Sequence, residues 1–117
     1  LGLAFRGDVS DTRLSPTYSI IRDLQKFGVK NIRIHDPFVS NDPNLLKYDN
    51  VSLTSDLKKA VKDSDLIILS TDHQEYKKLG KKFIGNIPVY DGRGLLDRNL
   101  TNKLKILTIG QGNNKIK

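Results

Sequence analysis

Cysteine is absent from all 117 residues, so a disulfide framework, a thiolate metal site and a cysteine nucleophile are excluded within this chain. Chemistry that needs a thiol must come from elsewhere. No apolar run approaches the roughly 18 residues that a membrane helix requires, and no signal-peptide pattern is visible. The G-x-G-x-x-G fingerprint follows no predicted strand, so the domain is not expected to hold a dinucleotide by itself. The basic patches are not interleaved with aromatics and no nucleic-acid recognition motif appears, which argues against a nucleic-acid partner. No His or carboxylate grouping has metal-ligand spacing, and no metal is expected.

The chain has room for one domain with a real core, and its 37% hydrophobic content suits a globular α/β protein. The net charge of +7 comes from 20 basic against 13 acidic residues and suggests an anionic ligand. Much of the lysine lies in surface-like patches, such as Lys58-Lys59, Lys77-Lys78, Lys81-Lys82 and the tail Lys115 to Lys117. Those patches read as solvated surface.

Strand and helix signals alternate. Leu1 to Phe5 reads as a buried strand, and Pro16 to Phe27 as a helix with Ser15 as N-cap, Ile20, Ile21, Leu24 and Phe27 on one face, and Gly28 closing it. Asn31 to Asp36 is a second strand, stopped by Pro37. From Phe38 to Val51 the signals are loop-like, with one helical turn after Asp42-Pro43. Ser55 caps a helix through Lys62, Asp65 to Ser70 is a fully buried parallel strand, and Asp72 caps a short helix holding Tyr76 and Leu79. Pro88 to Asp91 and Leu104 to Ile109 are the last strands. This alternation predicts a Rossmann-like three-layer α/β sandwich with a mostly parallel sheet of about five to six strands. Residues 1–110 form the expected domain and 111–117 a polar tail.

The first sixteen residues carry the strongest functional signal. An apolar strand delivers the chain to a loop with two guanidinium groups, Arg6 and Arg13, and Ser15-Pro16 then opens a helix. An arginine fork matches phosphate, and a βα loop at the C-terminal edge of a parallel sheet is where α/β folds place ligands. Arg93 sits between Gly92 and Gly94, which let the backbone approach a ligand closely. Phe5 suits core and ligand contact equally. Asp8 and Asp11 read as loop caps rather than as orienting partners for the arginines. His73, beyond a buried strand, invites a general-base role, but no partner at a recognisable spacing supports it and a first-turn helix residue is the better reading. His35 reads as structural. Asp36 stands where a dinucleotide domain binds ribose, a weak reading without the glycine loop. The chain opens in mid-strand without Met, and we expect it to be a piece of a larger protein.

Several motifs occur in order: Gly2-Leu-Ala-Phe-Arg-Gly-Asp8, Asp11-Thr-Arg-Leu-Ser-Pro16, Asp36-Pro37, Thr71-Asp72-His73-Gln-Glu75-Tyr76 and Tyr90-Asp91-Gly-Arg93-Gly-Leu95-Leu-Asp97. Together they resemble the C-terminal UDP-binding domain of the NAD-dependent nucleotide-sugar 6-dehydrogenases, with the Thr-Asp-His-x-Glu-Tyr variant closer to the UDP-N-acetyl-hexosamine members. The resemblance implies that Phe5 and Arg6 contact the UDP-sugar, that Arg93 binds the UDP moiety, and that Arg13 reaches the NAD held by the N-terminal domain. The family usually has lysine where Arg6 stands; charge is kept, but a fork replaces a point charge. The NAD fingerprint, catalytic cysteine, active-site lysine and long central helix of the family lie upstream, so no catalytic residue is assigned here. The family oxidises the C6 alcohol of the sugar to a carboxylate in two hydride transfers. The resemblance further implies a cytoplasmic enzyme of polysaccharide biosynthesis that dimerises through the central helix.

Two other classes remain open at this point. A stand-alone nucleotide-binding or regulatory module would have its own start near Leu1, and a receiver-like or flavodoxin-like domain would carry an acidic cluster or an FMN loop at its strand ends. Those ends carry arginines instead. The sugar cannot be read from these residues.

Overall fold

The computed structural model describes residues 1–96 and 106–108. Its elements, in chain order, are α1 (Thr17–Lys26), β1 (Ile32–His35), β2 (Val51–Thr54), α2 (Leu57–Val61), β3 (Ile67–Leu69), α3 (Lys81–Ile84), β4 (Val89–Asp91) and β5 (Ile106–Thr108). Two 3-10 turns, Pro43–Lys47 and Gln74–Lys78, complete them. All strand pairs are parallel, with β1 beside β2 in one sheet and β3-β4-β5 in a second. The α/β class and parallel pairing therefore hold, while the strands are short and lie in two sheets rather than in one of five to six strands.

The expected first strand is not formed. Leu1 and Gly2 bridge the two sheets: the Gly2 N–H donates to the His35 carbonyl (2.7 Å) and the Ser70 N–H to the Leu1 carbonyl (2.9 Å). Beyond them Leu3 and Ala4 turn their N–H groups to the Asp36 side chain, both at 2.8 Å. Gly2 has φ +100, and a Cβ there would stand 2.4 Å from Thr71 Cβ. Only glycine fits this turn beside Thr71.

Helix α1 begins after Pro16, and Ser15 Oγ accepts the Thr17 N–H at 3.2 Å. Gly28, at φ +93, donates to Gln25 O (3.1 Å) while Val29 donates to Leu24 O (3.0 Å), the expected left-handed stop. Phe27 is not on the buried face; it is the C-cap residue and 88% exposed. At α2 the cap is Asp56 rather than Ser55, its carboxylate accepting the Lys58 and Lys59 N–H groups, since an ionised oxygen outcompetes a hydroxyl one residue earlier. The C-terminal end of α2 is closed by Arg33, whose guanidinium donates to the carbonyls of Lys59 (2.9 Å) and Lys62 (2.5 Å).

Strand β2 falls inside the stretch that reads as loop, and α3 lies between the elements that the sequence predicts. The Val-Ser-Leu-Thr alternation of β2 is a period-two signal short enough to be masked by its polar neighbours. The apolar interior forms two clusters. One gathers Ile67, Leu69, Tyr76, Leu79, Ile84 and Val89 around β3 and β4; the other gathers Leu3, Ala4, Ile21, Ile34, Val39 and Leu45 around β1. The tail 111–117 and the outer residues of the expected last strand lie outside the described residues.

Candidate functional site

The strands of both sheets end on one edge, and the loops that follow them meet there: Asp36-Pro37-Phe38 after β1, Ser70 to His73 after β3, Gly92-Arg93 after β4, and Phe5 to Thr12. The loops are held by carboxylates. Asp36 is fully buried; one oxygen accepts from the Leu3 and Ala4 amides and from His73 Nε2 (2.8 Å), the other from the Phe38 (2.8 Å) and Val39 (3.1 Å) amides. Burial would raise its pKa, but the donors from His73, Ala4, Leu3 and Phe38 outweigh it and hold the carboxyl at about 2. With both oxygens occupied inside the protein, Asp36 is not placed to bind a ribose.

His73 is committed as well. The Asp8 N–H donates to its Nδ1 at 2.9 Å, so its proton sits on Nε2 and points at Asp36. The ring is buried and tied at both nitrogens, which rules out the general-base reading and supports the structural one. It precedes the Gln74–Lys78 turn as N-cap, and the Gln74 N–H is taken by Asp8 Oδ1 (3.0 Å). Asp72 does not cap that turn; its Oδ1 accepts from Gly7 (2.7 Å), pinning the arginine loop to the end of β3. His35 is buried under Tyr76, whose hydroxyl donates to the His35 carbonyl (2.9 Å) and lies 2.8 Å from His35 Nδ1. Burial pushes the His35 pKa down, opposed by the nearby Glu75 carboxylate.

Of the four arginine-loop and glycine-loop residues singled out from the sequence, the fold brings two into contact. Arg93 Nε donates to the Ser70 carbonyl (3.1 Å) and Nη2 to the Phe5 carbonyl (3.4 Å). Its own backbone is set by Asp91, which is buried and accepts from the Arg93 (3.1 Å) and Leu96 (2.8 Å) amides. Gly92 is required at this corner, because a Cβ would stand 2.9 Å from the Leu69 carbonyl oxygen. The guanidinium thus lies across the strand ends with its remaining donors exposed, and the Phe5 side chain beside it is 43% exposed.

Arg13 is held differently. Asp11 accepts its Nε (3.0 Å), its Nη2 (2.8 Å) and its backbone N–H (2.9 Å), so Asp11 orients an arginine after all, while Asp8 does not. The Arg13 fork keeps the Asp11 carboxyl down at about 2, with Arg6 contributing from nearby. Arg6 itself is exposed and forms no hydrogen bond among the described residues. Sequence reading missed Phe38, which stacks on the His73 ring (5.3 Å between centroids) and is 49% exposed at the same edge. The signal available was its place directly after the strand-ending Asp36-Pro37. Among the described residues no group of three or more His, Cys, Asp or Glu could hold a metal ion.

One guanidinium, that of Arg93, lies over the carboxyl ends of parallel strands, the edge at which open α/β sheets place their ligands. Residues 1–98 match the UDP-binding domain of the UDP-glucose/GDP-mannose dehydrogenase family, and the chain belongs to that family. It is 32% identical over 100 residues to the UDP-N-acetyl-D-mannosamine dehydrogenase of Pyrococcus horikoshii, covering 82% of this chain and 21% of that protein. Against the UDP-glucose 6-dehydrogenase of Bacillus subtilis the identity is 29%, covering 81% and 21%. Among solved structures, the NDP-N-acetyl-D-galactosaminuronic acid dehydrogenase of Methanosarcina mazei superposes with a TM-score of 0.75 at 27% identity, over 93% of this chain and 23% of that one. The native UDP-N-acetyl-mannosamine dehydrogenase of Staphylococcus aureus gives a TM-score of 0.70 at 27% identity, over 100% and 27%. The chain therefore spans about a quarter of the length of its relatives.

Proposed function

We propose that these residues form the UDP-binding part of an NAD-dependent UDP-sugar 6-dehydrogenase, of the UDP-N-acetyl-hexosamine type, that oxidises the sugar C6 alcohol to a carboxylate. The observation that carries this reading is the Arg93 guanidinium, braced on the Ser70 and Phe5 carbonyls with donors left over, in a chain whose family match is a UDP-binding domain. Arg93 and Arg6 neutralise the pyrophosphate, and Phe5 packs against the nucleotide-sugar. Arg13, held out from the loop by Asp11, reaches an NAD bound by another domain. Residues 1–110 act as one domain, in which the two sheets belong to a single larger sheet, with 111–117 as a tail. Substrate and cofactor contacts are its share of the work; hydride transfer falls to the remainder of a cytoplasmic, homodimeric enzyme serving polysaccharide biosynthesis. Several of the relatives are named as UDP-N-acetyl-D-mannosamine dehydrogenases, which supports the sugar class.

Calorimetric titration of this chain with UDP, UDP-N-acetyl-hexosamines and NAD tests the assignment. Weak heat with UDP that is lost in Arg93→Ala, together with no useful NAD affinity, is the expected pattern. NAD binding as tight as in a complete dehydrogenase would sink it.

A further inference from the structure

A hollow of about 350 Å³ lies where the arginine loop, α1 and the Pro43–Lys47 turn meet, within the ~300–1,000 Å³ of small-molecule sites. The loop contributes Arg13 and Leu14, the helix Tyr18 and Arg22, and the turn Lys47 with the Tyr48 that follows it. Tyr18 and Arg22 stand four residues apart and so share one face of α1. None of Phe5, Arg6 and Arg93 lines the hollow, which sets it apart from the residues assigned to the UDP moiety.

Three cations stand in its walls, and only one is spoken for. Arg13 is paired with Asp11 at 2.8 Å. Arg22 Nη2 donates to Ser19 Oγ (3.1 Å), and Lys47 Nζ stands 5.5 Å from the centroid of the Tyr48 ring. Neither Arg22 nor Lys47 has a carboxylate partner among the described residues. The nearby Asp42 is buried, and its oxygens accept from the Tyr18 hydroxyl and from the Asn44 N–H (3.1 Å). That carboxylate fixes the wall rather than the two cations.

Two further observations belong to the same hollow. The Tyr48 hydroxyl is buried without a hydrogen-bond partner among the described residues, whereas buried polar atoms are normally paired. Leu14 is 89% exposed at φ +60, a left-handed backbone that costs a leucine strain, and strain of this kind concentrates at ligand clamps.

We propose that this hollow binds a small phosphate-bearing ligand, its dianion held by Arg22 and Lys47, with the Tyr48 hydroxyl as a neutral donor and Leu14 beside it. A guanidinium fork and an ammonium are the two side chains best suited to phosphate oxygens. Donors supplied by α1 and by the turn approach from separate segments, which suits a tetrahedral oxyanion better than a planar carboxylate. With two uncommitted cations in a hollow of this volume, the site fits a single phosphoryl group and not a polyanion. That group is either free phosphate or the head of a phosphate monoester.

The test is a nuclear magnetic resonance titration of the isotope-labelled chain with inorganic phosphate and, separately, with phenyl phosphate. It is run at about pH 7.5, above the second phosphate pKa, with ionic strength held constant by sodium chloride. The amides of Arg22, Lys47 and Tyr48 should shift saturably, half-saturating below about 10 mM, while sodium chloride alone leaves them in place. Arg22→Gln and Lys47→Gln should each weaken binding at least about fivefold, and Tyr48→Phe at least about twofold; Lys47→Arg should retain it. Both cations are exposed, so these variants keep the fold, and each spectrum verifies it. Tighter binding of phenyl phosphate identifies a monoester, and equal affinity identifies free phosphate. The proposal is overturned if neither probe shifts these amides saturably, or if Arg22→Gln and Lys47→Gln bind as the parent chain does. The amides of Ser70 and Gly92 report the strand-end edge separately. Phosphate binding confined to them would overturn the hollow and leave the nucleotide site standing.

Discussion

Asp36 does more for this structure than any other single side chain, and nothing in its local sequence says so. Its five donors come from Leu3, Ala4, Phe38, Val39 and His73, spanning three separate loops. Leaving a buried donor unsatisfied costs about 1–3 kcal/mol, so Asp36→Ala should lower unfolding stability by at least ~3 kcal/mol in urea titration; a loss under ~1 kcal/mol would show that water replaces the carboxylate. On the proposed reading the arginines divide by role. If Arg93 and Arg6 pair with the UDP moiety as proposed, replacing either with Ala in the full-length protein should remove a charge-assisted hydrogen bond, worth about 1.5–3 kcal/mol or roughly ten- to hundred-fold in affinity. The loss should appear as a raised KM for the UDP-sugar, because the pyrophosphate is remote from C6 and is held alike in ground and transition states. Arg13→Ala should raise the KM for NAD instead. A UDP-sugar KM within twofold of wild type for a folded Arg93→Ala enzyme would remove the Gly92-Arg93-Gly94 loop from the nucleotide site.

At the scale of the elements, the join between the β1 and β3 ends is tuned to pH through two buried groups. His35 has its pKa lowered by burial, so the unfolded chain takes the proton more readily, and stability falls as pH drops below the unfolded value near 6.5. Asp36, held at about 2, adds stability that is complete above the unfolded value near 3.9 and is lost as pH falls from there toward 2. Thermal midpoints measured from pH 8 to pH 3 should therefore decline in two limbs. His35→Gln should flatten the upper limb and leave the lower one; an unchanged upper limb would mean that another group titrates there. Legibility varied in the same way from element to element. Helix α1, β1, β3 and β4 announced themselves by periodicity, Pro16 and Gly28. Strand β2 did not, because four residues of mixed polarity draw their strand character from pairing with β1. Leu1 to Phe5 read as strand on apolar content alone, yet Asp36 takes two of its amides.

For the whole molecule, catalysis is expected to be absent when this chain stands alone. An assay with NAD and any UDP-hexose or UDP-N-acetylhexosamine should produce no NADH, since the proposed route needs a cysteine thiol and the chain has none. Reproducible turnover by pure protein would mean that the assigned chemistry is wrong. The excess of basic residues is largely a surface property, as the exposed Lys58, Lys59 and Lys77 illustrate, and no helix among the described residues is long and apolar enough to cross a membrane.

The sequence alone determined the α/β class, the strand-end loops and the identity of the arginines, because these depend on local periodicity, on Gly and Pro, and on motif order. Only the tertiary structure decided which of those groups meet. Arg93 and Phe5 lie 88 positions apart and touch across the strand ends; Asp36 and His73, for which ribose binding and proton transfer are the weaker readings of the sequence, turn inward to bond each other. Contacts so distant along the chain leave no periodic trace, since each partner's neighbours are set by its own element. What a buried carboxylate or imidazole does is fixed by the donors and acceptors that packing brings within 3 Å, and those are properties of the fold.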